Sequence, residues 1–313
     1  MKARIGGVYF WVFCIIINLA ACRFSESDYN DHFQPFTKEF AKITGYNLLQ
    51  PSETFILPEA LTEISGLAMM NDTVVACVQD EMGAIFLYSL TERKIIERIR
   101  FGKSGDFEGI EIIEDMAYVL KSNGKIYQFS FREHTTITLN TPLKGANNAE
   151  GLAFHPEYDQ LLIACKGRAG LNGKSVEGKA VYGYHLTKGF NPDPVFLITS
   201  KQLESWNDQQ TTPINLTKRK KAFMPSGIAV HPETRDIYIV ATVGKLLIVL
   251  SPEGHIKHCV PLSPRVFRQP EGICFTTSGD LIISNEGQDG RGKIQLFKRI
   301  EGLGDEINEG LRD

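Results

Sequence analysis

The 313-residue sequence contains no CxxC pair, no GxxxxGK[ST], no G-x-S-x-G, no HExxH and no DxDxDG loop. These absences remove the paired-thiolate zinc site, the P-loop, the nucleophile elbow, the zincin helix and the EF-hand. Positive charge is also scarce: 34 Lys and Arg against 37 Asp and Glu give a net charge of −3. Lys218-Arg219-Lys220-Lys221 is the one basic run, and on a loop it reads as a solvated face. Nucleic acid is therefore not an expected partner. The apolar run 8–18 is too short to cross a bilayer comfortably.

That run has another use. Lys2 and Arg4 precede it, and Leu19-Ala20-Ala21-Cys22 follows it. A basic n-region, a short apolar core and small residues before a cysteine are expected of a bacterial lipoprotein signal, which is favoured over an ordinary secretory signal with a chance cysteine. Residues 1–21 are then the signal peptide, Cys22 is the lipidation site, and 22–50 form a polar tether. The acyl chains would hold the protein to a membrane of the cell envelope, inner or outer, with its domain outside the cytoplasm. Of the remaining cysteines, Cys14 lies in the signal. Cys77, Cys165, Cys259 and Cys274 sit in apolar β-like runs and are expected to be free, buried thiols.

What the chain has in quantity is one phrase. EISGLAM, DFEGIEI, NAEGLAF, MPSGIAV and QPEGICF centre on Gly66, Gly109, Gly151, Gly227 and Gly272. The spacings are 43, 42, 76 and 45 residues. A period of 40–50 residues with several strands per repeat indicates a β-propeller. Second strands are expected at 73–79, 116–122, 160–166, 236–242 and 280–286, and third strands at 84–90, 124–130, 179–185, 245–251 and 293–299. Weaker fourth strands are expected at 94–101, 135–141, 194–200 and 256–262. These runs are rich in Val, Ile, Tyr and Phe between Gly, Asn, Asp and Pro turns.

The expected fold is all-β, one propeller over 51–300 with four-stranded antiparallel blades. Five blades are favoured and six are the alternative. The last repeat lacks its own fourth strand, so residues 54–58 are expected to pair there and close the ring. The long interval is read as an insertion over 203–223, and 301–313 as a tail. His155-Pro-Glu and His231-Pro-Glu recur between first and second strands, which assigns both histidines to turns.

In such a blade the first strand lies innermost. Its start and the end of the second strand reach the same face of the disc. That face would collect Ser65, Glu108, Glu150, Ser226 and Glu271 from strand starts. From strand ends it would collect Asp80, Glu81, Lys121, Asn123, Lys166, Arg168, Asn285 and Glu286, with Asp289 in the following Gly-rich loop. Three glutamates around one axis repel each other and need compensation. Three roles are open for them: holding a hard cation such as calcium through Glu108, Glu150, Glu271 and Glu286, bonding backbone amides, or catalysis. The remaining polar residues, Asp80, Glu81, Lys121, Asn123, Lys166, Arg168, Asn285 and Asp289, are candidates for binding a small ligand.

The lipobox with ISGLA, FEGIE, AEGLAFHP, PSGIAVHP, QPEGICF and ISNEG resembles the SdiA-regulated, or YjiK-like, family over residues ~55–298. The resemblance implies a membrane-anchored envelope propeller linked to calcium response, binding calcium, a small ligand or an envelope protein. A phytase-like, calcium-dependent phosphoester hydrolase is the alternative it implies. Glu108, Glu150, Glu271 and Glu286 would hold calcium, with Lys121, Lys166 and Arg168 for phosphate. The aspartate-rich runs expected of a propeller phytase are missing.

Overall fold

A computed structural model describes residues 45–300 apart from 212, 217, 218 and 289. The signal, Cys22, most of the tether, the tail and Asp289 lie outside the described residues.

The described chain forms five antiparallel sheets, the blades of a five-bladed propeller. The first blade is β2 (Ile64–Asn71), β3 (Val74–Gln79), β4 (Ala84–Ser89) and β5 (Lys94–Arg100). The second is β6 (Phe107–Ile113), β7 (Met116–Lys121), β8 (Ile126–Ser130) and β9 (Thr135–Leu139). The fourth is β15 (Met224–Val230), β16 (Ile237–Val243), β17 (Leu246–Leu250) and β18 (Ile256–Pro261). The fifth takes β19 (Pro270–Phe275), β20 (Leu281–Asn285) and β21 (Lys293–Phe297) from the end of the chain. Its outer strand is β1 (Glu53–Ile56), which runs antiparallel to β21 with Glu53 opposite Leu296 and Ile56 opposite Lys293. The ring is thus closed by the expected early segment, and the edges that an open arc would expose are removed.

The third blade is β10 (Ala149–His155), β11 (Gln160–Cys165) and β12 (Lys179–His185), and it departs from the pattern. Two short strands, β13 (Gly189–Phe190) and β14 (Phe196–Ile198), share the outer position, both paired to β12. The inserted stretch after it holds helix α1 (Ser200–Asp208) and, where the basic run is expected to form a loop, a short helix α2 (Arg219–Ala222). Thr199 caps α1: its hydroxyl accepts from the Gln202 amide while the Gln202 side chain accepts from the Thr199 amide, a capping box. Leu203 is buried, and the Trp206 indole donates to the Lys257 carbonyl at 3.2 Å, so α1 is fastened to β18.

Five apolar clusters fill the molecule, one between each pair of adjacent blades. Inner and middle strands are covered on both faces. On β3, for example, Val75 and Cys77 join the cluster shared with the fifth blade, while Val74, Ala76 and Val78 join the one shared with the second. This is why these strands read as continuous apolar runs and not as alternation.

The repeated glycine follows from the same packing. A Cβ on Gly66 would lie 2.7 Å from Gly109 Cα, on Gly109 3.0 Å from Leu152 Cβ, on Gly151 2.8 Å from the Ile228 amide, and on Gly272 2.8 Å from the Ser65 carbonyl. On Gly227 it would overlap the Glu271 carbonyl. Each inner strand abuts the next around the axis, and the last returns to the first. No side chain fits there.

The cysteines Cys77, Cys165, Cys259 and Cys274 are free and buried. His231 accepts the amides of Glu233 and Thr234 at its Nδ1, both at 3.2 Å, and so shapes its turn. His155 is buried and stacks on Tyr158 at 4.3 Å between centroids. Burial keeps both rings neutral by lowering their pKa values.

Candidate functional site

The residue before each phrase glycine sits at the start of an inner strand, where neighbouring blades crowd the axis. Two blades place serine there. The Ser65 hydroxyl donates to the Phe107 carbonyl and the Ser226 hydroxyl to the Pro270 carbonyl, each at 2.7 Å and each on the next blade. These serines rivet adjacent blades. The other three blades place Glu108, Glu150 and Glu271, whose carboxylates act on one another electrostatically.

Their partners are few. Lys166, at the end of β11, reaches Glu150 at 3.0 Å, and Asn148 donates to the same oxygen at 2.6 Å. Glu271 accepts from Thr242 at 3.2 Å and is buried to 8% exposure. Burial, then Glu150, pushes the Glu271 carboxyl up to about 8. Glu108 is driven well above the carboxylate range by burial and by Glu150, Asp106 and Glu271. Glu150 is also raised by burial, but its lysine opposes this. The burial of Lys166 works against its charge, yet Glu150, Glu271 and Glu108 together hold its pKa above the usual lysine value. One ammonium therefore serves three carboxylates. The ion pair favours the charged form of Glu150, while burial and the neighbouring carboxylates favour the neutral forms of Glu108 and Glu271.

The negative region extends beyond the ring. Burial, then Glu63 and Glu286, raises Asp80 to about 6, and its Oδ1 is buried with no hydrogen-bond partner. Glu286 accepts from the Gln269 amide group and is raised by burial and Glu63. Lys245, at the hairpin joining β16 and β17, is the second lysine acting on Glu271. Burial lowers it to about 8, and its ammonium donates to the Arg268 carbonyl at 2.6 Å. Glu63 and Asp106 open the phrases EISGLAM and DFEGIEI, three residues before the glycine, and were missed because the residue directly before the glycine carried the reading; Lys245 lies in a hairpin outside the phrase. Their signal was position: each sits within three residues of an inner-strand start or a second-strand end.

Other expected members stand apart from this ring. The Lys121 ammonium lies over the Phe107 ring at 5.9 Å. Asn123 accepts the Lys125 amide at 3.2 Å and shapes a turn. Arg168 and Glu81 are exposed. Asn285 is buried and donates to Gln295 at 2.8 Å within the fifth blade. Among the described residues no three His, Cys, Asp or Glu side chains stand close enough together to hold one metal ion. The described carboxylates therefore do not form a closed cage for calcium.

No family model and no curated protein matches the chain. Among solved structures it is similar to a luciferin-regenerating enzyme, at 12% identity and a TM-score of 0.49 over 80% of this chain and 96% of that one. It is also similar to a nidogen–laminin complex, at 17% identity and a TM-score of 0.47 over 71% and 72%. A third is a catalytically inactive virginiamycin B lyase from Staphylococcus aureus with quinupristin, at 14% identity and a TM-score of 0.44 over 79% and 73%. At these identities nothing about activity carries across, and the propeller rests on the strand pairing described above.

Proposed function

We propose that the protein is a binding propeller whose strand-start face takes a small, positively charged ligand over the axial carboxylates. The observation that carries this is the imbalance of charge in a buried ring: Glu108, Glu150 and Glu271 share Lys166, and Asp80 beside them has a buried oxygen with no partner. A cation entering this space would let the carboxylates release their protons and would return what burial cost them. Calcium fits only with water or ligand oxygens completing its shell, because no three carboxylates converge among the described residues. With the lipoprotein signal, the protein would present this face from a membrane of the cell envelope, and its membership of the SdiA-regulated, YjiK-like group belongs to the same proposal.

The phosphoester hydrolase is less well supported. A phosphate would enter a negative ring, and Lys166, the cation best placed to receive it, is already held by Glu150 at 3.0 Å. Calorimetric unfolding in EDTA, in millimolar calcium and in millimolar small organic cations tests the proposal. Binding at 100 times Kd stabilises the folded state by about 2.7 kcal/mol. A raised Tm in wild type that is lost in Glu271→Gln is expected. No shift with any cation would refute the proposal.

A further inference from the structure

The second and opposite end of the axis holds a different chamber. A cavity of about 200 Å³ is lined by the inner strands of all five blades. Its existence follows from the repeated phrase. The residue two places after each phrase glycine is Ala68, Ala153, Ala229 or Cys274 in four blades, and small side chains there leave the axis open. In the second blade the same position is Glu111. A carboxylate thus stands where the pattern calls for a methyl or thiol, among Ala68, Phe154, Ala229, Cys274 and Phe275.

Glu111 is held in a defined pose. One oxygen accepts the Ile112 amide at 2.9 Å and the other the Phe154 amide on the next blade at 2.8 Å. A carboxylate has about four acceptor sites, so two amides leave roughly half its capacity unused. Among the described residues no lysine or arginine acts on it. Burial raises it to about 7 against the opposing pull of the two amides. The two amide bonds alone would explain a structural glutamate. They do not explain why the carboxylate borders an open cavity with no counter-charge, whose lining side chains are apolar apart from Glu111 but whose exposed surface is mostly polar.

We propose that this cavity is a second binding site, separate from the carboxylate ring, for a small organic ammonium ion with a short apolar body. The ammonium would pair with Glu111 and the polar surface around it, and the short hydrocarbon would lie against side chains such as Leu67, Ala229 and Phe275. The volume equals that of roughly seven water molecules at about 30 Å³ each, so the ligand must be small. It lies well below the roughly 300–1,000 Å³ of pockets for drug-sized molecules.

The test uses n-butylammonium and its neutral counterpart n-butanol, titrated into the whole protein and followed by calorimetry and backbone amide NMR. The expected result, read from the shifts of the Phe154, Ala229 and Cys274 amides, is at least tenfold tighter binding of the ammonium than of the alcohol in the cavity. Glu111→Gln should remove the preference for ammonium over alcohol. Ala229→Leu, which fills the cavity and keeps the carboxylate, should abolish binding of both. Glu271→Gln should leave the shifts at these three amides unchanged, which separates ammonium in the cavity from ammonium taken up by the carboxylate ring on the other face. Equal binding of alcohol and ammonium by wild type overturns the proposal, as does no binding by the folded wild type. So do ammonium-induced shifts at these three amides that survive Ala229→Leu, or that are lost in Glu271→Gln and kept in Glu111→Gln.

Discussion

Glu271→Gln should make the ligand-free protein more stable, and by an amount that grows with pH. Glu271 ionises near 4.5 when unfolded and near about 8 when folded. Between these values the unfolded chain releases a proton that the folded one keeps. The associated stability is therefore fully present below about pH 4.5 and is lost as pH rises towards 8. The slope is about 1.36 kcal/mol per pH unit for one proton, so the loss is on the order of 1 kcal/mol at pH 5 and 3 kcal/mol at pH 7. Glutamine keeps the side-chain volume and can still accept from Thr242, but it carries no titrating proton. Urea unfolding of both proteins in EDTA and amine-free buffer from pH 5 to 8 measures the difference. The gap should widen by about 2–3 kcal/mol between pH 5 and pH 7. A gap constant to about 0.5 kcal/mol over that range would show that Glu271 ionises as easily in the fold as outside it, and the electrostatic account of the ring would fail.

Three further outcomes are expected. Lys166→Met breaks the 3.0 Å pair with Glu150 and should cost roughly 3–5 kcal/mol near pH 8, and less as pH falls, because burial raises Glu150 and favours its neutral form, as the same urea series would show. Gly66→Ala drives a methyl into the Gly109 and Ile110 backbone and should lower stability by about 1–3 kcal/mol or more, whereas Gly102→Ala, with open space around it, should stay within about 0.5 kcal/mol in the same thermal melts. Ser226→Ala removes the buried bond to Pro270 on the next blade and should cost about 1–3 kcal/mol by denaturant titration; an unchanged midpoint would mean water replaces the hydroxyl.

The blades were legible because each inner strand meets the same steric limit. That limit wrote a glycine at 66, 109, 151, 227 and 272, and the strands could be counted outward from it. Closure by the 54–58 segment was legible too, since the fifth repeat ends one strand short. The third blade was not fully legible: 194–200 reads as one strand, but β12 is met first by Gly189–Phe190 and again by Phe196–Ile198. Helix α1 was missed although its T-x-x-Q cap at Thr199 and Gln202 is written out, because a polar stretch between blades gives no strand periodicity to contrast with. The axial glutamates were found from the phrase. Glu111 was passed over because FEGIE draws attention to the glutamate before the glycine, and only alignment of all five phrases shows a carboxylate in a column of alanine and cysteine.

The pairing of β1 with β21 also sets a clock on synthesis. Glu53 meets Leu296, a partner made roughly 240 residues later. At about 5–20 residues per second the first-made strand waits on the order of 10–50 s for it. Throughout that interval the growing chain is an arc with an unpaired strand at one end and an unfinished blade at the other. Loss of the last few described residues would make the wait permanent. A protein of this topology therefore depends, between the ribosome and its destination, on whatever keeps its two ends from pairing with other chains.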